Sequence, residues 1–134
     1  MSTAFEYTSE RREFVRTNTD IPLRYKFLSR DIDLGTDQIY EGKTSNISGA
    51  GCLLSGKVPS LSWIPALLMG KIHLGVNLLM PSLDHPIKAL CQVSWVEAIP
   101  PRSDRCVLGL KFIDVRKQDQ DEIMKYLIKA QMTK

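Results

Sequence analysis

The chain lacks the usual equipment of an enzyme. Its two histidines, His73 and His85, stand apart and pair with no nucleophile at a recognisable spacing. No catalytic constellation is legible, so the expectation is a protein that is not an enzyme. Cysteine is sparse and odd in number: Cys52, Cys91 and Cys106 fit neither a disulfide framework nor the spacing of a zinc site. Cys52 and Cys91 fall inside apolar runs, which points to buried free thiols and a reducing, cytoplasmic setting. Asp31, Asp33 and Asp37 lack the closing glutamate of a calcium loop. Neither a metal nor a cofactor is therefore expected.

Charge of one sign is also scarce. Eighteen Lys and Arg against 15 Asp and Glu leave a net charge of +3, and aromatics make up only 7%. That is too little for a general nucleic-acid coat or a row of base-stacking platforms. The longest apolar stretch, "WIPALLMGKIHLGVNLLMP", is interrupted by Pro65, Lys71 and His73, so no membrane span is expected. The opening "MSTAFEYTSE" has neither the basic start nor the apolar centre of a signal peptide. Internal repeats and linkers are absent as well, and residues 1–134 read as a single domain whose first ten residues form an arm without apolar pattern.

What the chain has is alternation. Ile21, Leu23, Tyr25 and Phe27 alternate with Pro22, Arg24 and Lys26, the signature of a half-buried strand. The pattern returns at Ile72, Leu74, Val76 and Leu78, and again at Ile87, Ala89, Cys91, Val93 and Trp95. A last strand places Leu108, Leu110 and Phe112 on one face, and "IYEGKTSNIS" and "GCLLS" flank a turn at 45–51. Six short strands with few helical patterns argue for an antiparallel barrel or sandwich; a barrel has the advantage of leaving no exposed edge. The period changes at the end. Asp119 with Glu122 resembles a capping box, and Ile123, Met124, Leu127 and Ile128 form one stripe. A helix over 119–132 that docks on the barrel follows. Segment 57–70, with Trp63 and two prolines, reads either as a buried connection containing a short helix or as an apolar face for a partner.

Two short stretches carry chemistry. "RREFVR" places Arg11, Arg12 and Arg16 just ahead of the first strand. A guanidinium presents a planar fork of donors matched to phosphate oxygens or to the O6/N7 edge of guanine. The same cluster also reads as a solvated face paired with Glu10 and Glu13. "SNISGAG" brings Asn46 and Ser48, which favour turns, with Gly49 and Gly51, which permit positive φ and close approach of a ligand. Its backbone amides either cradle an anion or simply close a hairpin.

Taken together, Arg12-x-x-x-Arg16 followed by Asn46-x-Ser48-x-x-Gly51 resembles the paired signatures RxxxR and [D/N]xSxxG of the PilZ domain family. "ALCQVSWV" is similar to the family's strand ending in V-x-W, and "LGLKF" to its G-x-[R/K]-F strand. The resemblance spans roughly residues 10–130. It implies an all-β fold: a six-stranded antiparallel β-barrel with a C-terminal α-helix. It also implies a bacterial signalling role, binding the second messenger cyclic di-GMP. The implied ligand residues are Arg11, Arg12, Arg16, Asn46, Ser48, Gly49 and Gly51. Trp95 serves either as a lining residue near the barrel rim or as a core residue. The resemblance further implies that Arg11, standing just before the motif, adds a cation for an intercalated ligand dimer. Binding would order the N-terminal arm and alter a surface read by a downstream protein. Members of the family that act as protein-interaction modules without the nucleotide typically lack the arginines, and this chain keeps them.

Overall fold

A computed structural model of the chain describes residues 20–132. The alternation becomes six strands: β1 (Ile21–Leu28), β2 (Tyr40–Thr44), β3 (Gly51–Lys57), β4 (His73–Leu78), β5 (Ile87–Ala98) and β6 (Arg105–Val115). They close in the order β1-β2-β3-β6-β5-β4, with β4 returning to pair with β1, and every pairing is antiparallel. Closure satisfies the backbone groups that an open edge would leave unpaired. The expected barrel is the observed one.

Period two explains the core. Ile21, Leu23, Tyr25 and Phe27 point inward from β1 and meet Leu54, Leu74, Leu78, Ile87 and Leu108, all buried. A helix, α2 (Lys117–Met132), contributes Ile123 and Leu127 to the same core. Tyr25 stacks on Tyr40 at 5.6 Å, and Phe27 meets Trp63 edge-on at 5.2 Å. The Tyr25 hydroxyl donates to the Lys57 carbonyl at 2.7 Å and accepts from the Lys57 amide at 2.6 Å. That pair fixes the end of β3 against β1.

Segment 57–70 is a connection with short helical turns that packs in part on the core, through Leu61, Trp63 and Ala66 beside buried Val58 and Leu67. A 3-10 turn (Leu61–Trp63) runs into α1 (Ile64–Leu68), which starts with Pro65 in its first turn. Val58 and Leu67 are fully buried, whereas Leu68 and Met69 stay exposed at the tip.

Two expectations need correction. The helix begins two residues earlier than 119: the Gln120 amide donates to the Arg116 carbonyl at 2.9 Å, so Arg116 caps it. Asp119 lies inside the first turn, buried, and accepts from Arg116 Nε at 3.3 Å. A carboxylate there suits the positive end of the helix dipole. Trp95 does not extend the inward row of β5. The register shifts between Val93 and Trp95, leaving Ser94 as an extra residue without a partner across the ladder. Val93 stays buried while Trp95 turns outward, 40% exposed.

Burial raises the Tyr25 phenol to about 12 against the opposing hydrogen bond from Lys57, and raises the Cys52 thiol to about 12 as well. The folded barrel therefore keeps protons that the unfolded chain releases near the ordinary values of 10.0 and 9.0. Stability contributed by these groups is complete below pH ~9 and falls as pH rises towards ~12. Urea titrations at pH 7 and pH 10.5 should show a lower midpoint at the higher pH. Tyr25→Phe should cost about 1–3 kcal/mol at pH 7, because two Lys57 backbone groups lose their partner.

Candidate functional site

The turn between β2 and β3 is built by short side chains. Thr44 Oγ1 accepts from the Asn46 amide at 3.2 Å and donates to the Asn46 carbonyl at 3.1 Å. The Leu53 amide also donates to that carbonyl, at 3.0 Å. The Ser48 amide closes on the Gly51 carbonyl at 2.8 Å, and Ser48 Oγ accepts from the Ala50 amide at 3.2 Å. The hydroxyl of Ser48 thus shapes the turn from within. The side-chain amide of Asn46, by contrast, has no hydrogen-bond partner among the described residues.

Neither Gly49 nor Gly51 takes the positive φ expected of it; among the described residues that conformation belongs to Gly35, Gly70 and Arg102. Gly51 is needed for close approach instead. A β-carbon there would collide with the Leu110 carbonyl oxygen of β6. Gly49 faces α2: its carbonyl accepts from Gln120 Nε2 at 3.0 Å, and a β-carbon on it would lie 3.1 Å from Met124 Sδ.

The turn forms one side of an open cleft of about 390 Å³ on the outer wall of β3, β6 and β5. That volume lies within the ~300–1,000 Å³ typical of small-molecule sites. Asn46, Ser48 and Gly51 line it together with Trp95 and Lys111. Gly49 does not line it. The Trp95 indole lies across Gly109, where any β-carbon would strike Nε1. The result is an exposed aromatic wall beside a strand that has no side chain to hold it away. Cys52 reaches the floor, but burial holds its thiol protonated and unreactive at neutral pH. A second depression of about 460 Å³ lies by Lys43, Lys57 and Arg105. Two of its cations are already paired, Lys43 with Asp20 at 3.2 Å and Lys57 with Asp104 at 3.5 Å. It holds none of the expected ligand residues.

Arg11, Arg12 and Arg16 lie outside the described residues. The root of their segment is placed, however. Ile21 pairs with Thr44, two residues before Asn46. Arg16 precedes Ile21 by five residues and Arg12 by nine, so full extension allows them about 17 Å and about 31 Å from that point. Lys111 was missed by the motif reading, which took "LGLKF" as a strand only. Alternation alone would have found it, since inward Leu110 and Phe112 leave Lys111 outside.

A closed antiparallel barrel with a C-terminal helix and a cleft on its outer wall, beside the β2–β3 turn, defines a small binding module. The profile of the PilZ domain matches residues 10–129, and the chain belongs to that family. The family comprises binding and adaptor modules and is generally a receptor for cyclic di-GMP. Among solved structures, the Bacillus subtilis inhibitor of motility, MotI/DgrA, is similar with a TM-score of 0.62 at 19% identity, covering 92% of this chain and 52% of that one. MrkH from K. pneumonia is similar with a TM-score of 0.63 at 20% identity, covering 89% and 48%. The chain spans about half the length of these structures. A search of the curated proteins finds no significant match. No helix among the described residues is long and apolar enough to cross a membrane.

Gly51→Ala should destabilise the barrel by about 1–3 kcal/mol, as overpacking against a backbone carbonyl does. Urea denaturation measures this, with Gly35→Ala as a contrast: nothing lies within 4 Å of that site, and only its positive φ opposes the change.

Proposed function

We propose that the chain is a cyclic di-GMP receptor that passes ligand binding on to a downstream protein. One observation carries the reading. The pairing of Ile21 with Thr44 roots the arginine segment beside the turn whose Asn46 amide opens, unengaged, into a cleft walled by Trp95. Cyclic di-GMP has two phosphates and two guanines, and the residues in reach suit both. Arg12 and Arg16 supply guanidinium forks for phosphate or for the guanine O6/N7 edge. The Asn46 carbonyl accepts from guanine N–H. Trp95 offers a face for purine stacking, worth about 1–3 kcal/mol per base in nucleic-acid sites. Lys111 adds a cation to the lining. Ser48 and Gly51 hold the turn in shape.

Arg11 brings a third guanidinium, enough for the phosphates of a second ligand molecule stacked in an intercalated dimer. Closing the segment over the cleft orders it and changes the outer surface, which is the readout. Nothing in this scheme breaks a bond, so cyclic di-GMP leaves intact.

Isothermal titration of cyclic di-GMP tests the reading. Wild type should bind two molecules per chain. Arg12→Ala and Arg16→Ala should each weaken binding by roughly 5- to 150-fold, the worth of about 1–3 kcal/mol. Arg11→Ala should lower the stoichiometry to one. Trp95→Phe should remove most of the ligand-induced change in tryptophan emission. A wild type that gives no heat at millimolar nucleotide would favour the other reading, a protein-interaction module that does not bind the nucleotide.

A further inference from the structure

The stretch Ser48–Gly51 is held from two sides, and only one of them is the barrel. The Phe112 amide of β6 donates to the Ala50 carbonyl at 2.8 Å. The preceding carbonyl, Gly49, is held by Gln120 Nε2 of α2 at 3.0 Å. Met124, one helical turn further along, lies over the same glycine, with its sulfur 3.1 Å from where a β-carbon would be. Residues four apart share a helix face, so the two contacts come from one side of α2.

A peptide unit is planar. Fixing the Gly49 carbonyl therefore fixes the Ala50 N–H, which points the opposite way within that plane, and this amide donates to Ser48 Oγ at 3.2 Å. The helix thus sets the direction of the Ser48 side chain, which lines the cleft. Gly49 is the point where α2 grips the turn.

We propose that Gln120 and Met124 are positioning residues for the cleft, and that α2 holds the turn in the shape the ligand meets. This rests on the receptor reading above. Coupling of this kind is reciprocal: if the helix stabilises the bound turn, ligand stabilises the helix's docking by the same factor.

Hydrogen exchange on the free protein tests the grip without any ligand. Gln120→Glu keeps the size of the side chain and removes its N–H donor. It should speed exchange at the Ser48 and Ala50 amides, whereas Ile128→Ala, further along the helix and half-exposed, should not. Titration with cyclic di-GMP then tests the role. Gln120→Glu and Met124→Ala should each weaken binding roughly five-fold or more, about the worth of one hydrogen bond. Met124→Leu should restore wild-type affinity, as should Gly49→Ala combined with Met124→Ala, which refills the space. Circular dichroism confirms the fold of each variant. In wild type, ligand should slow exchange in residues 117–130. Unchanged turn exchange and unchanged affinity in both Gln120→Glu and Met124→Ala, beside a wild type that binds, would overturn the proposal and leave the receptor reading standing. A wild type that does not bind overturns both.

Discussion

The structure depends on how closely β3 and β6 approach at Gly51. Their backbones meet where a side chain would collide with the Leu110 carbonyl, and the absence of that side chain seats the turn directly on the barrel wall. From this contact follow the pairing of Gly51 with Lys111, the bond from the Phe112 amide to Ala50, and the position of Asn46 at the mouth of the cleft. Glycine is required here for space, and its conformational freedom is not used. The family signature therefore records a packing constraint at its last position, and in the proposed receptor a recognition group at its first.

The cleft divides its work between a rigid half and a chain-borne half. Strands and turn supply Asn46, Trp95 and Lys111, whose backbones are fixed by ladder bonds. The arginines belong to the segment that enters β1. On the receptor reading, the site would have shape before ligand arrives, and most of its opposing charge would come from the arginines outside the barrel. In the proposed receptor, cost and signal would coincide: the entropy lost in fixing the arginine segment would be the change that a downstream protein detects.

Much of this was legible in the sequence. Strict alternation in β1 and β4 needs no tertiary information, and the inward rows match the buried residues. The turn was placed correctly because Thr44, Asn46 and Ser48 encode their own local bonds. Failures occurred where one strand's geometry is set by another. The extra residue at Ser94 is decided by β6 across the ladder, so the pattern through Val93 gave no warning that Trp95 would reverse. Asp119 has the residue type of a cap, yet the helix starts two residues before it, with the Arg116 carbonyl taking the first helical bond and the Arg116 side chain bonding the Asp119 carboxylate. That Gly49 faces the C-terminal helix is likewise set far along the chain, by Gln120, and no local pattern shows it.

The unpaired Ser94 has a wider consequence. Before it, odd-numbered residues of β5 fill the barrel; after it, Val96 and Ala98 take that duty and the odd ones look outward. One strand thereby furnishes both the oily interior and the aromatic wall. Removing Ser94 would leave simple alternation with Val93 and Val96 still inward and the indole still outward, because the bulge absorbs the odd residue; removing a residue from the regular ladder instead would reverse the faces beyond it. The strand thus carries one residue more than its ladder pairs, and that surplus is what lets Trp95 face outward directly after an inward row.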